Sequence, residues 1–126
     1  MPVPVKVVDA SALGALVFGE PRAQEVAKLL TGSSLAAPTL WRYEVGSVCL
    51  KKMRRYPGQR GALLAGLALA ERMGIEEVEV AVPEVILLAE RLRLTVYDAA
   101  YVWAARSLRA ELVTLDARLR RATGAR

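Results

Sequence analysis

The sequence predicts an α/β fold, a three-layer α/β/α sandwich with a short central parallel sheet. Short runs of β-branched and apolar residues alternate along the chain with longer segments whose apolar residues recur at helical spacing. The first run, Val5 to Val8, has apolar residues at both odd and even positions. That pattern is typical of a strand covered on both faces, as in a parallel sheet.

Length and composition indicate a single domain, residues 1–126. The 126 residues are 54% hydrophobic, which is ample for one packed core, and no repeat or linker interrupts them. The lone cysteine, Cys49, lies in an apolar helical stretch and excludes an internal disulfide, so a reducing cytoplasm fits best. The N-terminus lacks a signal-peptide pattern, and the longest run of apolar and glycine residues, Ala62 to Ala70, is too short for a membrane span.

Charge and histidine content narrow the chemistry. The net charge of +5 favours an anionic partner, of which nucleic acid is the commonest, although many basic proteins are merely soluble. The chain has no histidine. A Ser-His-Asp triad, a histidine acid/base pair and a histidine-bound zinc are therefore excluded.

The first half of the chain continues with helices around one further strand. A helix is predicted from near Ser11 through Val17, with a break at Gly19-Glu20-Pro21. The remaining elements of this half are a helix Ala23 to Leu30, a strand Leu35 to Ala37 closed by Pro38, a helix from a Thr39 cap to near Arg55, a loop at Tyr56-Pro57-Gly58 and a helix Ala62 to Met73. That last helix is apolar on nearly every side, which indicates two neighbours or a subunit contact.

The second half alternates strands with helices. The elements predicted there are a strand Val78 to Val82, a helix Glu84 to Arg93 with Pro83 in its first turn, a helix Tyr97 to Leu108 capped by Thr95, a strand Leu112 to Leu115, and a terminal helix Asp116 to Ala122 before an arginine-rich tail. The alternation of strands and helices favours a parallel sheet.

Aspartate is scarce, and its positions are informative. Asp9 follows the first predicted strand and Asp116 the last, while Asp98 and Glu44 lie near the N-terminal ends of helices. Functional crevices of open α/β sheets lie at the carboxyl ends of the strands, so these four acids are expected to line one crevice. Each also has a simpler explanation: Asp9 and Asp116 as helix N-caps, Asp98 as a complement to a helix dipole, and Glu44 as a solvated residue.

Clustered carboxylates repel one another unless a cation neutralises them. Hard ions such as Mg²⁺ or Mn²⁺ prefer oxygen ligands and suit such a cluster. These ions activate water for in-line attack on phosphorus, which requires no histidine. The acidic positions thus predict a metal-dependent hydrolytic site.

Four strings together resemble a PIN domain over nearly the whole chain: Val-Val-Asp-Ala-Ser-Ala-Leu (7–13), Glu44 after Ala-Ala-Pro-Thr-Leu-Trp, Leu-Thr-Val-Tyr-Asp-Ala-Ala-Tyr (94–101) and Leu-Val-Thr-Leu-Asp-Ala-Arg-Leu (112–119). The resemblance implies a PIN-like sandwich and the cleavage of single-stranded or structured RNA to 5′-phosphate and 3′-hydroxyl ends. It also implies that the metal-binding acids are Asp9, Glu44, Asp98 and Asp116, supported by the hydroxyls of Ser11 and Thr114.

At this length the chain most resembles VapC-like toxins. That resemblance implies a homodimer and a small antitoxin protein that inserts a segment into the active-site groove. Some family members carry an additional acid near the fourth one. Here Ala117 follows Asp116, which leaves open whether one metal ion binds or two.

Basic and aromatic residues are candidates for contact with RNA. A basic cluster around the third helix and its loop comprises Arg42, Lys51, Lys52, Arg54, Arg55 and Arg60, which is interpreted either as a phosphate-binding surface or as a solvated helix face. Aromatic residues that stack on unpaired bases or fill the core are Trp41, Tyr43, Tyr97, Tyr101 and Trp103. The core is favoured for Trp41 and Trp103, and both roles stay open for Tyr43 and Tyr101.

Two rival classes are weighed against the nuclease. A non-catalytic RNA- or protein-binding module on the same fold is disfavoured because four unneutralised acids repel phosphate. The second class is another α/β phosphotransfer domain, either an aspartate-nucleophile phosphatase or a receiver domain. The phosphatase requires a second aspartate where Ser11 stands. A receiver domain requires paired acids and a late strand-end lysine, neither of which is evident.

Overall fold

The computed structural model describes residues 3–124, in which a four-stranded sheet is combined with seven α-helices. The strands are β1 Val5–Val8, β2 Ser34–Pro38, β3 Glu76–Val78 and β4 Glu111–Val113. The helices are α1 Ala10–Val17, α2 Ala23–Leu30, α3 Trp41–Arg55, α4 Arg60–Glu71, α5 Val82–Leu92, α6 Val96–Leu108 and α7 Ala117–Thr123. A short 3-10 turn, Pro57–Gln59, precedes α4. The ends of the predicted 1–126 domain, namely 1–2 and 125–126, lie outside the described residues.

The sheet has the strand order β3-β2-β1-β4, and every pair is parallel. Val7 at the centre of β1 pairs with Ala36 of β2 and with Leu112 of β4. The chain order reverses between β1 and β4, which makes that boundary the topological switch point. The predicted α/β fold with a short parallel sheet is confirmed.

Helices cover both faces of this sheet. Parallel crossovers are right-handed, so the connections from β1 through β2 to β3 place α1 to α4 on one face, whereas the return to β4 places α5 and α6 on the other. The helix contacts agree, because α1 packs on α2, α3 and α4 while α5 packs on α6. The carboxyl ends of β1 and β4 thus lie between the two helical layers.

The core lies between the sheet and these helices. Val7 and Val8 of β1 are fully buried, as is Leu13 of α1. Trp41 is also buried, which confirms its predicted core position, whereas Trp103 is only partly buried and donates a hydrogen bond to Glu84. A smaller cluster, Val85, Ala89, Ala99 and Ala100, joins α5 to α6.

Gly66 allows α1 and α4 to approach closely. A Cβ atom at this position would lie 2.3 Å from the carbonyl oxygen of Val17, so no side chain fits without a backbone shift. Of the two explanations predicted for the apolar surface of α4, contact with two neighbouring helices is found, since α4 packs on α1 and α3. Its outer face nevertheless leaves Leu64 and Leu69 more than two fifths exposed.

Two local predictions are wrong. The third strand is Glu76–Val78 and not Val78 to Val82, because the parallel ladder with β2 ends at Val78 and Val82 already begins α5 with Pro83 in its first turn. Leu40, not Thr39, occupies the N-cap of α3, and it makes no side-chain capping bond. The Thr95 cap of α6 is confirmed, since its hydroxyl accepts a hydrogen bond from the Asp98 N–H.

Across residues 3–124, none of the helices combines the length and the apolar character that crossing a bilayer requires.

Candidate active site

The four acids predicted from the sequence lie at one edge of the sheet. Asp9 follows β1 directly and caps α1, while Asp116 lies shortly after β4 and caps α7. Glu44 is in the first turn of α3, which begins beyond the carboxyl end of β2. Asp98 is in the first turn of α6, whose N-terminus points to the same edge because its C-terminus leads into β4.

Asp9 is the most deeply buried of these acids, with only 5% of its surface exposed. Its Oδ1 accepts hydrogen bonds from the Ser11 hydroxyl at 2.7 Å and from the Ala12 N–H at 3.0 Å, and its Oδ2 accepts one from the Thr114 hydroxyl at 2.5 Å. A carboxylate offers about four acceptor positions, so one position on Oδ2 stays open beyond these three bonds. The carboxylate is thus fixed in orientation and still able to bind a cation or a water.

Ser11 and Thr114 connect the ends of the two strands through Asp9. Each hydroxyl gives its single proton to Asp9 and accepts a backbone N–H, from Leu115 and Asp116 respectively, both at 3.0 Å. The two hydroxyl oxygens lie 3.4 Å apart. Each hydroxyl oxygen uses a lone pair to accept its backbone N–H, so its proton points toward the Asp9 carboxylate.

Asp116 lies at the acidic edge of the sheet and also accepts a hydrogen bond that caps a helix. Its Oδ1 accepts the Leu119 N–H at 3.0 Å, which is the N-cap bond of α7. Both Asp9 and Asp116 are therefore helix N-caps, as the simpler explanation predicts. It does not account for the electrostatic repulsion between these two carboxylates, which capping alone does not require.

Glu44 is oriented by Tyr101, a residue whose role the sequence left open between core packing and base stacking. Tyr101 is 1% exposed and its hydroxyl donates to Glu44 Oε1 at 2.6 Å. Base stacking is excluded for a ring buried in this way. Its position one helical turn after Asp98, three residues along α6, is the sequence signal that could have indicated a supporting role.

Asp98 is paired with Arg118, a residue that no sequence motif singles out. The guanidinium of Arg118, on α7, lies 3.5 Å from Asp98 Oδ2, and the side chains are 61% and 24% exposed respectively. Arg118 stands two residues after Asp116, so one short helix presents both an acid and a base to this edge. Before any cation binds, the guanidinium is the positive charge next to Asp98.

The carboxylates influence one another electrostatically. Burial raises the pKa of Asp9, hydrogen bonds from Thr114, Ala12 and Ser11 oppose that effect, and the charge of Asp116 adds to it. Burial likewise raises the pKa of Glu44, the bond from Tyr101 opposes it, and the charges of Asp98 and Asp9 add to it. All four acids are thereby linked in pairs across one region.

A divalent cation fits the chemistry of this donor set, although no closed cage is formed. Among residues 3–124, no three acidic or other ligand side chains lie close enough together to hold one ion between them. Mg²⁺ does not require such a cage, since it keeps several waters and commonly binds through one or two carboxylates together with substrate phosphates. Linked pairs of carboxylates, one with an open acceptor position, suit that open type of site.

Two cations of the predicted basic cluster have acidic neighbours. Arg42 donates to Glu77 at 2.9 Å and lies 3.3 Å from Glu71, while Lys52 lies 3.8 Å from Glu20. Arg55 lies over the ring of Tyr56, with its guanidinium carbon 5.5 Å from the ring centroid. The other exposed cations of the cluster are Lys51, Arg54 and Arg60. The charge of Arg42 is therefore largely neutralised within the protein.

Comparison with known proteins identifies the family. A family model described as PIN domain matches residues 6–125. The crystal structure of PAE2754 from Pyrobaculum aerophilum is similar, with 31% sequence identity, a TM-score of 0.79, and an alignment that covers 97% of this chain and 82% of that one. No curated protein matches the chain. PIN domains are generally nucleases and typically use divalent metal ions. Both matches span almost the full length of the chain, which therefore belongs to the PIN-domain family.

Proposed function

We propose that this protein is a divalent-metal-dependent ribonuclease that hydrolyses phosphodiester bonds at the carboxyl edge of its sheet. The observation that carries the proposal is Asp9, a buried carboxylate held by Ser11 and Thr114 with one acceptor position left open. It lies at the switch point between β1 and β4, the usual place for a functional site in an open α/β sheet. Mg²⁺ or Mn²⁺ is the cofactor proposed.

Stability alone gives no reason for this arrangement. Burying Asp9 disfavours its charged form, and the charge of Asp116 disfavours it further, while the charges of Asp98 and Asp9 disfavour the charged form of Glu44. Perturbed carboxyl groups gathered in one region are characteristic of functional sites. A bound cation removes the repulsion, so the unfavourable arrangement supports a metal site.

Hydroxyl groups orient two of the four acids. Asp9 and Glu44 are held by hydroxyl donors from Ser11, Thr114 and Tyr101, so their oxygens keep one orientation. Burial and the neighbouring Glu44 raise the pKa of Tyr101, so its proton stays on the phenol and the bond keeps its direction. When bound, a divalent ion supplies Lewis-acid activation of water and neutralises charge on the scissile phosphate. Asp98 and Asp116, which like Glu44 are partly exposed, are proposed to complete its ligands.

RNA as the substrate is supported by charge. The chain carries a net charge of +5 although four of its acids lie at the site, so the remaining surface is more basic still. A basic surface attracts a phosphate backbone at a distance. We propose that Lys51, Arg54 and Arg60 contribute most from the basic cluster, ahead of Arg42 and Lys52, which have acidic neighbours.

The test is cleavage of end-labelled single-stranded RNA by purified protein with Mn²⁺, with Mg²⁺ or with EDTA. We expect cleavage only with metal, leaving 5′-phosphate and 3′-hydroxyl ends. Asp98→Asn is the preferred variant, because Asp9→Asn would also break the hydrogen bond donated by Thr114. We expect Asp98→Asn to reduce cleavage by about 100-fold or more, the order that loss of metal-assisted charge stabilisation produces.

The matched control is Glu90→Gln, which removes a negative charge from an exposed position of α5. We expect it to cleave like the unmodified protein, and we expect both variants to melt near the original temperature. Undiminished cleavage in excess EDTA rejects the metal mechanism.

A second candidate is the non-catalytic binding module on the same fold. The observation that favours it is that no three ligand groups within residues 3–124 converge on one point. The two candidates are distinguished by the same assay. Retained RNA binding without cleavage under any metal supports the module.

The narrower assignment is a VapC-like toxin that forms a homodimer and is silenced by a small antitoxin protein. Exposed apolar side chains support a protein contact on α5, where Val82, Ile86 and Leu87 are each at least half exposed. Light scattering of the purified protein tests for the dimer. A small open reading frame directly upstream, whose product abolishes cleavage, tests for the antitoxin.

A further inference from the structure

A groove opens beside Glu44, between the N-terminal parts of α3 and α6. Its volume is about 490 Å³, and its lining residues are Leu40, Tyr43, Glu44, Ser47 and Tyr97. The first four lie at positions i, i+3, i+4 and i+7 along α3 and its cap, which places them on one helix face. Tyr97 comes from α6 on the other side.

The two tyrosines are among the most exposed large side chains of the described chain. Tyr43 is 80% exposed and Tyr97 is 64% exposed. Each directly precedes an acid of the proposed active site, Glu44 and Asp98 respectively. Isolated exposed tyrosines are common, but here two separate helices bring them to one groove at the same pair of carboxylates.

We propose that this groove is a nucleobase subsite, in which an unpaired base of single-stranded RNA stacks on the rings of Tyr43 and Tyr97. The proposal deepens the ribonuclease function and rests on it. It names the substrate as RNA whose base next to the cleaved phosphate is free of pairing. A base inside a duplex is stacked on its neighbours and does not reach such a groove.

Charge favours a base over an anionic occupant. Glu44 is the one charged residue in the lining, so a phosphate or an acidic peptide in the groove would be repelled. A base is planar and uncharged, and its ring N–H or amino groups donate hydrogen bonds. The Glu44 carboxylate has acceptor capacity beyond its bond from Tyr101, and the Ser47 hydroxyl is exposed nearby.

Continuity with the carboxylates sets the position of the base. Glu44 belongs both to the groove and to the acidic edge, so a strand whose phosphate lies at that edge has an adjacent base at the groove. Aromatic stacking accepts any base, because every base has a π face. Base preference at this position therefore depends on Glu44 and Ser47 and not on the tyrosines.

The test compares leucine and phenylalanine variants of the two tyrosines in the full chain. Tyr43→Leu and Tyr97→Leu keep an apolar side chain and lose the ring, whereas Tyr43→Phe and Tyr97→Phe keep the ring as matched controls. The probe is a short single-stranded RNA of mixed sequence, and a second probe has the same backbone without bases. Binding is measured by fluorescence anisotropy at low salt with Mn²⁺, on versions of both probes whose backbones resist hydrolysis, and KM is measured for cleavage of the normal RNA with Mn²⁺.

We expect each leucine variant to raise Kd and KM for the normal RNA about five-fold or more, the lower end of what loss of one base–aromatic stack costs. The phenylalanine variants should stay within about two-fold of the unmodified protein, and the baseless probe should bind all five proteins alike. Leucine variants that keep the melting temperature and bind RNA as tightly as the original overturn the subsite. So does an unmodified protein that binds normal and baseless probes equally.

The outcomes separate the subsite from the ribonuclease proposal. Tyrosine-dependent RNA binding without cleavage under any metal supports the subsite and rejects the nuclease. Metal-dependent cleavage with KM and Kd unchanged in the leucine variants rejects the subsite and keeps the nuclease. Loss of self-association in the leucine variants with unchanged RNA binding assigns the groove to a protein contact and also rejects the subsite.

Discussion

The phenol of Tyr101 on α6 donates a hydrogen bond to Oε1 of Glu44 on α3 at 2.6 Å. The two helices lie on opposite faces of the sheet, so this bond links the two helical layers at the edge where the acids gather. Because the ring is buried, it has little freedom to move and holds the Glu44 carboxylate in one orientation. A residue remote from solvent thereby determines the position of a proposed metal ligand.

The first prediction is that Tyr101→Phe destabilises the protein by about 1–2 kcal/mol at neutral pH, the usual worth of a hydrogen bond to a charged group that is only half buried. The variant keeps the ring and its packing, so the loss of stability measures the contribution of the hydroxyl. The bond from Tyr101 lowers the pKa of Glu44, so its removal raises that pKa further. Urea unfolding at several pH values measures the effect.

The destabilisation by Tyr101→Phe should shrink in acid, where Glu44 is protonated in both proteins. Tyr43→Phe, at an exposed tyrosine one residue before Glu44, is the control and should leave stability unchanged. If Tyr101→Phe lost the same free energy of unfolding at every pH, the hydrogen bond to the charged Glu44 would not be the cause of the destabilisation.

The second prediction concerns pH and metal. The pKa values of Asp9 and Glu44 are raised above their ordinary values of 3.8 and 4.5, mainly by burial. Their contribution to the stability of the metal-free protein is therefore greatest below those values and is lost as pH rises through the raised pKa values. Cation ligands must be deprotonated, so metal binding strengthens over the same interval.

We therefore expect the increase in melting temperature with Mn²⁺ to grow as the pH rises above the ordinary pKa range of carboxyl groups. Glu44→Gln, which removes one of the two titrating groups, should show a smaller stability decline as pH rises in the absence of metal. Glu25→Gln, at an exposed acid of α2, serves as the control. A Mn²⁺ shift that is absent, or that is the same at all pH values, contradicts this expectation.

The third prediction is that Thr114→Val destabilises the protein by about 1–3 kcal/mol, because it leaves Oδ2 of the buried Asp9 carboxylate and the Asp116 N–H without their partner. Valine has almost the same shape, so packing in the core changes little. Thr114→Ser keeps the hydroxyl and should recover most of the stability. Chemical denaturation with guanidinium measures all three proteins.

Thr31→Val provides the comparison for the loss of a hydroxyl. Its hydroxyl donates to the backbone carbonyl of Ala27 at an exposed position, so its removal should cost far less. If Thr114→Val and Thr31→Val lost similar free energies of unfolding, the hydrogen bonds around Asp9 would contribute no more to stability than an exposed one.

The sequence predicts some of these features well for identifiable reasons. The β-branched run before Asp9 and the Thr95 cap before Asp98 are local signals, and both are correct in the structure. The predicted third strand is wrong because residues 78–82, in which valine alternates with glutamate and alanine, also have the pattern of a strand. Only the pairing with β2, which is a tertiary contact, decides between this segment and Glu76–Val78.

The side-chain contacts of the site could not be predicted from local sequence patterns, because they join residues that only the tertiary structure brings together. Helical and strand ends place the acids at one edge, which topology alone predicts. The bond from Tyr101 and the ion pair of Arg118 with Asp98 bring together residues that are distant in sequence or on different helices. The absence of a three-ligand group within residues 3–124 is equally a matter of distance.

The last prediction is that Arg118→Ala strengthens the binding of Mn²⁺ to the protein without RNA by about two- to five-fold, since it removes a positive charge next to a cation ligand. The pair with Asp98 is exposed, so its loss should change the free energy of unfolding by less than about 1 kcal/mol. Isothermal titration with Mn²⁺ measures the affinity, and repetition at high salt should reduce the difference through screening.

Arg121→Ala is the matched control, because Arg121 is an exposed arginine of the same short helix. It removes the same total charge, so a purely global effect of net charge would strengthen Mn²⁺ binding equally in both variants. We expect the gain only for Arg118→Ala, because its guanidinium lies 3.5 Å from Asp98 Oδ2. Equal affinities in the two variants, or weaker binding in Arg118→Ala, would show that Asp98 does not take part in holding the cation.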